Sequence, residues 1–206
     1  MASTLQATKN NITLRGSTDI VTEFFGYCIN SILYQRGIYA PETFARQNKY
    51  GLSMLVTTDE GLSKYLGQVL TQLSEWLMAG VVQKLVIVIT GAENSAVLER
   101  WVFDVETDQV VVKGQVASRE KSEKEITSEI QAIIRQITAS VTFLPLLNDA
   151  CTFDLLVYTH PECHVPQSWE ESDPKYIQKS QEVRLRSFTT KVHKVDAMVA
   201  YKVDDD

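Results

Sequence analysis

Three potential metal ligands lie close together in the chain, at His160, Cys163 and His164. One thiolate and two imidazoles are donors that zinc accepts, but a structural zinc site needs four at short motif spacing, and no fourth stands nearby. The plainer reading is polar loop residues beside Pro161 and Pro166. An unrecognised hydrolase or metalloprotein built on them is a rival that stoichiometric zinc would favour. His193 sits among basic residues, and spacing gives it no serine or cysteine to activate. Gly37, Gly51, Gly61 and Gly67 are isolated, so they form no phosphate-cradling loop. Glu170-Glu171 and Asp204-Asp205-Asp206 fall in loop and tail, where carboxylates are most simply solvated. This inventory does not describe an enzyme.

What the chain does must then lie in how its elements are arranged. Its 206 residues suit one domain. The net charge of −6, with 20 basic and 26 acidic residues, comes without a basic cluster. That argues against non-specific binding to nucleic acid or a membrane surface as the main role. Cys28, Cys151 and Cys163 are odd in number and follow no secretory signal, so they are read as reduced thiols of the cytosol or nucleus. No apolar run approaches the length that spans a bilayer.

Helical periodicity marks three segments. The first is predicted to follow Ser17 as N-cap, with Asp19 in its first turn, and to run to about Gln35 on a wide apolar stripe. The second runs from Thr58-Asp59 to Met78 and ends at Gly80. The third is predicted from Ser118, with Ile126, Ile130, Ile133, Ile134, Ile137 and Val141 at helical spacing, and stops before Pro145. Between them, Lys84–Thr90 is almost continuously β-branched and reads as a strand buried on both faces. Gly91–Ser95 turns it into Val97–Val105 as an antiparallel hairpin, and Cys151–Tyr158 is a further strand. Thr107–Ala117 reads as strand end and loop.

The last quarter of the chain is unusual. Thr159–Glu182 is polar and carries Pro161, Pro166 and Pro174, yet two strand-like runs follow, Val183–Phe188 and Val195–Val203. A connection of this length inside a compact domain is functional or disordered. The strands beyond it alternate and must pair with a sheet edge. Two strands on a long tether can leave one edge and dock on another, which suits closure over a partner. The element order implies an α+β domain with helices on a mainly antiparallel sheet.

Several side chains admit two roles. Arg184 and Arg186 share one strand face, either solvated or pinning the tethered strands by ion pairs. Trp76 falls on a helical apolar stripe and reads as core, whereas Trp169, in the polar tether, reads as a residue that docks on something. Arg135 and Gln136 interrupt the third helix's stripe, and Phe143 projects near its end, as interface anchors do.

Ile12–Ser17, Asn30–Tyr39, Ile134–Leu147, Phe153–Thr159, Trp169–Ser172 and Glu182–Thr190 closely resemble the HORMA-domain proteins of the spindle assembly checkpoint, the mitotic arrest-deficient type. The resemblance runs from about Ile12 to Val203. It departs in the first eleven residues, at Asn94–Val97, at Thr107–Ala117 and in the Asp204-Asp205-Asp206 ending. It implies a single HORMA domain, with three helices and a sheet in a core of about 12–158 and a mobile C-terminal seatbelt of about 159–206. Proteins of this type are adaptors with two topologies. In the open form the C-terminal strands block one sheet edge. In the closed form they cross the sheet and wrap a partner peptide, which adds a strand beside the one carrying Phe153, Leu155, Leu156, Val157 and Tyr158. Trp169, Arg184, Arg186, Phe188, Val195, Val199 and Tyr201 then belong to the seatbelt. Arg135, Gln136, Thr142 and Phe143 form the surface for open–closed self-dimerisation and for a comet-type silencing adaptor.

The implied partners are a coiled-coil kinetochore checkpoint receptor and the activator subunit of the anaphase-promoting complex, each held through a short apolar-basic motif. An AAA+ ATPase reopens the closed form. The implied location is nucleus, kinetochore and cytoplasm, and no cofactor is implied. A sister HORMA adaptor, a subunit of a translesion DNA polymerase, uses the same belt and is the alternative.

Overall fold

The computed structural model describes residues 10–203 of the 206-residue chain. The Asp204-Asp205-Asp206 tail and most of the divergent first eleven residues lie outside the described residues. A short strand β1 (Asn11–Thr13) leads directly into helix α1 (Leu14–Gln35). The N-cap is Thr13, whose side chain accepts from Gly16 N, and not Ser17 as the sequence suggested. Asp19 therefore lies beyond the first turn, and Ser17 is fully buried. Helix α2 (Glu60–Met78) starts at its expected Asp59 cap and ends before Gly80. Gly80 has φ +68, and a Cβ there would stand 2.9 Å from Val112 Cγ2, so the position requires glycine twice over.

Three features were not legible. Phe44–Lys49 (β2) and Leu52–Thr57 (β3) form a hairpin whose turn, Tyr50-Gly51, has both residues at positive φ. That is the primed turn that matches strand twist, with Tyr where Asn or Asp would signal it. Thr107–Ala117 contains a short helix α3 (Gln109–Val112). Ser118–Glu120 is a strand (β6) paired with β1, so the last long helix, α4 (Glu123–Ala139), begins later than expected. Ser122 caps it, and Glu125 completes a capping box. Val141 falls beyond α4 in a 3-10 turn and is exposed.

The main sheet contains β4 (Val82–Gly91), β5 (Val97–Thr107), β7 (Cys151–Thr159), β8 (Ser180–Thr189) and β9 (His193–Lys202). Its order is β7-β4-β5-β9-β8, with every neighbour antiparallel. Alternation divides the two faces. Leu85, Ile87, Trp101, Phe103, Leu155, Val195 and Val199 join the helices in the main core. Val86, Val88 and Val102, with Leu156, Tyr158 and Met198, form a small apolar cluster on the outer face. The reading of β4 as buried on both faces holds.

The C-terminal hairpin is part of the main core. The Phe188 ring stands 4.6 Å from that of Phe24 and 1% of the residue is exposed. At the β8–β9 turn, Ser17 Oγ lies 2.5 Å from Thr190 Oγ1 and 2.6 Å from His193 Nδ1, all buried. His193 Nε2 has no hydrogen-bond partner among the described residues. Burial pushes the His193 pKa down to about 4, because a charged imidazole would lose its water there.

The unfolded chain, with an ordinary histidine pKa near 6.5, binds a proton that the folded hairpin refuses. This contribution to stability is complete above about pH 6.5 and is lost as pH falls toward 4, a range worth about 3 kcal/mol. Urea unfolding midpoints should therefore fall more steeply between pH 7 and pH 4.5 for the natural chain than for His193→Gln. Equal slopes would remove His193 from the account.

Candidate functional site

The two edges of the sheet are treated differently. The C-terminal end of β8's outer edge, Arg186 to Thr189, is sealed by side chains of α4 and of the residue before its cap. Gln136 Oε1 accepts from Arg186 N at 2.6 Å, and Glu129 Oε2 accepts from Thr189 N at 3.0 Å. Lys121 Nζ donates to Thr189 O at 2.7 Å while paired with Glu129 at the same distance. These groups stand in for a missing neighbour strand and keep the edge from pairing with another chain. The outer edge of β7 has no such cover. Among the described residues no strand pairs with it.

What surrounds the β7 edge is the tether, residues 160–179. It first lies on the helix side, where Trp76 Nε1 donates to the His164 carbonyl at 3.4 Å and the Trp169 ring packs edge-on against Trp76 at 4.9 Å. It next appears on the outer face, where Lys175 pairs with Asp154 and the Tyr176 ring covers Arg100. To go from one face to the other it must pass around β7. A cleft of about 710 Å³ is left between the strand and the loop, lined by Leu155 to Thr159 on one side and Cys163, Val165, Trp169, Glu170 and Ser172 on the other. A second cleft, between β7 and α2, continues it past Tyr65 and Gln68. Tyr39 and Tyr65 pack on the Phe153 ring at the far end.

The expected edge residues Phe153, Leu155, Leu156, Val157 and Tyr158 thus fall on one uncapped strand, with Phe153, Leu155 and Val157 toward the helices and Leu156 and Tyr158 toward the outer face. Of the expected seatbelt residues, Phe188, Val195 and Val199 are core, and Trp169 docks on Trp76 of its own chain. Tyr201 donates to Gln181 Oε1 at 2.8 Å across the hairpin. Arg184 and Arg186 are exposed, and Leu185-Arg186 form a bulge between the pairs Arg184–Met198 and Ser187–Asp196. Arg135, Thr142 and Phe143 are exposed at the end of α4, whereas Gln136 is half-buried against β8. His160 and Cys163 line the cleft and His164 does not; among the described residues no group of three His, Cys, Asp or Glu side chains converges as metal ligands do.

The sequence reading missed the α4 cap, because nothing in the spacing of Lys121, Glu129 and Gln136 announces a partner sixty residues away. It also missed a buried ion pair. Arg36, just past α1, holds Glu99 of β5 at 2.5 Å and donates to the Pro145 carbonyl, while Trp101 Nε1 donates to Glu99. This network fixes the loop that delivers β7 to the sheet.

A sequence profile of the HORMA domain matches residues 17–193. The chain is 66% identical over 200 residues to the mitotic spindle assembly checkpoint protein MAD2A of Dictyostelium discoideum, covering 97% of this chain and 98% of that one. It is 60% identical to human MAD2A, covering 95% of each. A chain in a crystal structure of the mitotic checkpoint complex superposes with a TM-score of 0.84 at 46% identity, covering 91% of this chain and 99% of that one. The DNA polymerase zeta processivity subunit of Schizosaccharomyces pombe is far more distant, 26% identical over 74% of this chain.

The seal on β8 makes a direct prediction. Glu129→Ala removes the acceptor for Thr189 N and leaves Lys121, 7% exposed at its side chain, without its anion. A loss of about 2–3 kcal/mol is expected in urea unfolding, against about 1 kcal/mol for Gln136→Ala. An unchanged midpoint for Glu129→Ala would show that the hairpin is not held there.

Proposed function

The chain belongs to the HORMA family, in its mitotic spindle checkpoint branch, and from that membership we propose that it is an adaptor that entraps a short partner segment as an added strand on the outer edge of β7. The observation that carries this reading is the uncapped edge encircled by the tether. Main-chain hydrogen bonds along β7 supply affinity, and the cleft residues select side chains on alternate positions. The loop of residues 160–179 converts a weak edge pairing into a slow release, because the partner must slide out or the hairpin must undock. In this role the protein is not a catalyst.

The partners are a coiled-coil kinetochore checkpoint receptor and the activator subunit of the anaphase-promoting complex, whose sequestration delays anaphase. They place the protein at kinetochores, in the nucleus and in the cytoplasm. A comet-type silencing adaptor and an open copy of this chain share the surface of Arg135, Gln136, Thr142 and Phe143. An AAA+ ATPase resets the closed form. The core of about 12–158 and the seatbelt of about 159–206 form one domain, consistent with Phe188, Val195 and Val199 lying in the common core. The polymerase-subunit alternative is supported only by the more distant relative and is set aside.

The test is capture of a fluorescein-labelled apolar-basic peptide of about ten residues, the length that pairs along β7. The purified chain should bind it with a dissociation time of hours and resolve on ion exchange into two slowly interconverting species. A chain that bound no such peptide, or released it within milliseconds, would contradict the proposal. Deleting residues 181–206 should abolish capture. Because that deletion strips the outer edge of β5, it should also lower stability, and unimpaired binding by the truncated chain would refute the belt. Arg135→Ala changes an exposed side chain on α4 and should yield a monomer that still captures peptide. An unchanged dimer in sedimentation would refute the self-association surface.

A further inference from the structure

The tether returns to the sheet at one place, and the contact there is built. Asp154, Val88 and Arg100 stand opposite one another on β7, β4 and β5, side by side on the outer face. Two consecutive tether residues meet the two ends of that row: Lys175 pairs with Asp154, and the Tyr176 ring lies over the Arg100 guanidinium at 4.7 Å from its centroid. We propose that Asp173–Tyr176 is the buckle of the belt, a preset turn that fastens the tether to the outer face and so sets how long an encircled strand is retained. The inference rests on the capture reading above and assigns the residues that hold the loop shut.

The turn is braced locally as well as by its docking contacts. Asp173 Oδ1 accepts from Lys175 N at 2.6 Å, Pro174 fixes the backbone between them, and Lys175 takes φ +52. A lysine in the left-handed region is held there by its surroundings, and such residues concentrate at clamps and switches. Without that bend, Lys175 and Tyr176 would not reach β7 and β5, on either side of β4, together.

The two contacts differ in weight. Lys175 and Asp154 keep 31% and 48% of their side chains exposed, so water and salt partly screen their attraction and its contribution is small. Arg100 is different. It is 8% exposed, sits beside Val88 and Val102, and its Nε has no hydrogen-bond partner among the described residues. A cation this withdrawn from water, with no ion pair among the described residues, gains from the electron-rich face of an aromatic ring. Tyr176 itself is 69% exposed, so its ring covers Arg100 without being packed into the core. The fastening therefore rests on one cation–π contact that can open without unfolding the sheet, which a closure that must release its cargo requires.

Release of the same fluorescein-labelled peptide, chased with unlabelled peptide, reads the buckle directly. Tyr176→Ala should speed release about tenfold while changing association less than about twofold. Arg100→Met should do the same, and the double variant should release no faster than either single one, since both remove one shared contact. Tyr176→Phe keeps the ring and should release at the natural rate. Because Tyr176 is exposed, its replacement does not threaten folding even if Arg100→Met does. A Tyr176→Ala protein that releases peptide at the natural rate overturns the proposal. Amide hydrogen exchange across residues 170–178 of the unliganded protein gives a reading that needs no peptide. It should rise in Tyr176→Ala, and unchanged exchange would overturn the buckle even in a chain that captures. A natural chain that captures no peptide, with exchange still raised by Tyr176→Ala, would instead defeat the capture reading and leave the buckle standing.

Discussion

Pairing of β9 with β5 is the contact on which the rest of the arrangement depends. The register runs unbroken from Glu99 opposite Tyr201 to Thr107 opposite His193. It carries β8 to the far edge, leaves β7 terminal on the other side, and forces the tether to traverse the whole sheet. Because β7 and β8 run in the same direction, the tether must also return from the end of one to the start of the other. Four strand spacings across and most of a strand's length along come to roughly 35 Å, or about ten extended residues. The twenty residues from 160 to 179 are about twice that. The surplus is what lets the chain leave the helix side at Trp169 and reach the outer face at Lys175 around a strand it does not pair with.

The asymmetry of the edges then acquires a purpose. A main-chain hydrogen bond contributes only about 1 kcal/mol net in water, so a bare edge holds a short peptide weakly. Sealing β8 with Gln136, Glu129 and Lys121 directs any added strand to β7, where a loop already stands around it. The buried Arg36–Glu99 pair serves the same geometry from within. Its desolvation offsets much of its attraction, but the hydrogen bond from Arg36 to the Pro145 carbonyl ties the approach to β7 to the end of α1. Strand, loop and approach are therefore positioned by separate parts of the core.

Much of this was legible in the sequence, for physical reasons that differ by element. The central strand β4 follows from its β-branched run, the C-terminal strands from alternation, and α2 from Asp59, since burial dominates there. The start of α1 was misplaced because Ser17 is a good cap by type, yet its hydroxyl is committed to Thr190 and His193, residues that only the fold brings near. Ser118–Glu120 was merged into α4 for a similar reason: polar residues ahead of a helical stripe carry no sign of pairing with Asn11–Thr13. The β2–β3 hairpin was hidden by its largely exposed Ala45–Asn48 strand, which lacks alternation, and by tyrosine in a turn position that usually shows asparagine. At the site, the tether and Trp169 stood out because length and an isolated aromatic are local signals. The α4 cap and the Arg100–Tyr176 contact did not, because each joins residues with no common period.

The strand directions also bear on the proposed switch between two topologies: they permit it and make it slow. In the order β7-β4-β5, the two outer strands run the same way, and Leu155 and Trp101 face the same helices. A strand directed as β9 is, with Val195, Ala197 and Val199 toward the helices, therefore finds an antiparallel neighbour of matching facing at either edge. The hairpin as a unit does not. Carried across unchanged, it would bring β8 against β7 in parallel, with the β8 bulge near Arg186 against the wrong partner. Moving the C-terminal strands thus requires their mutual pairing to be broken and remade, together with the core contacts of Phe188 and the buried hydrogen bonds of Thr190 and His193. The end states can be close in free energy because the same apolar face is buried in each, while the path between them passes through a chain that has lost both.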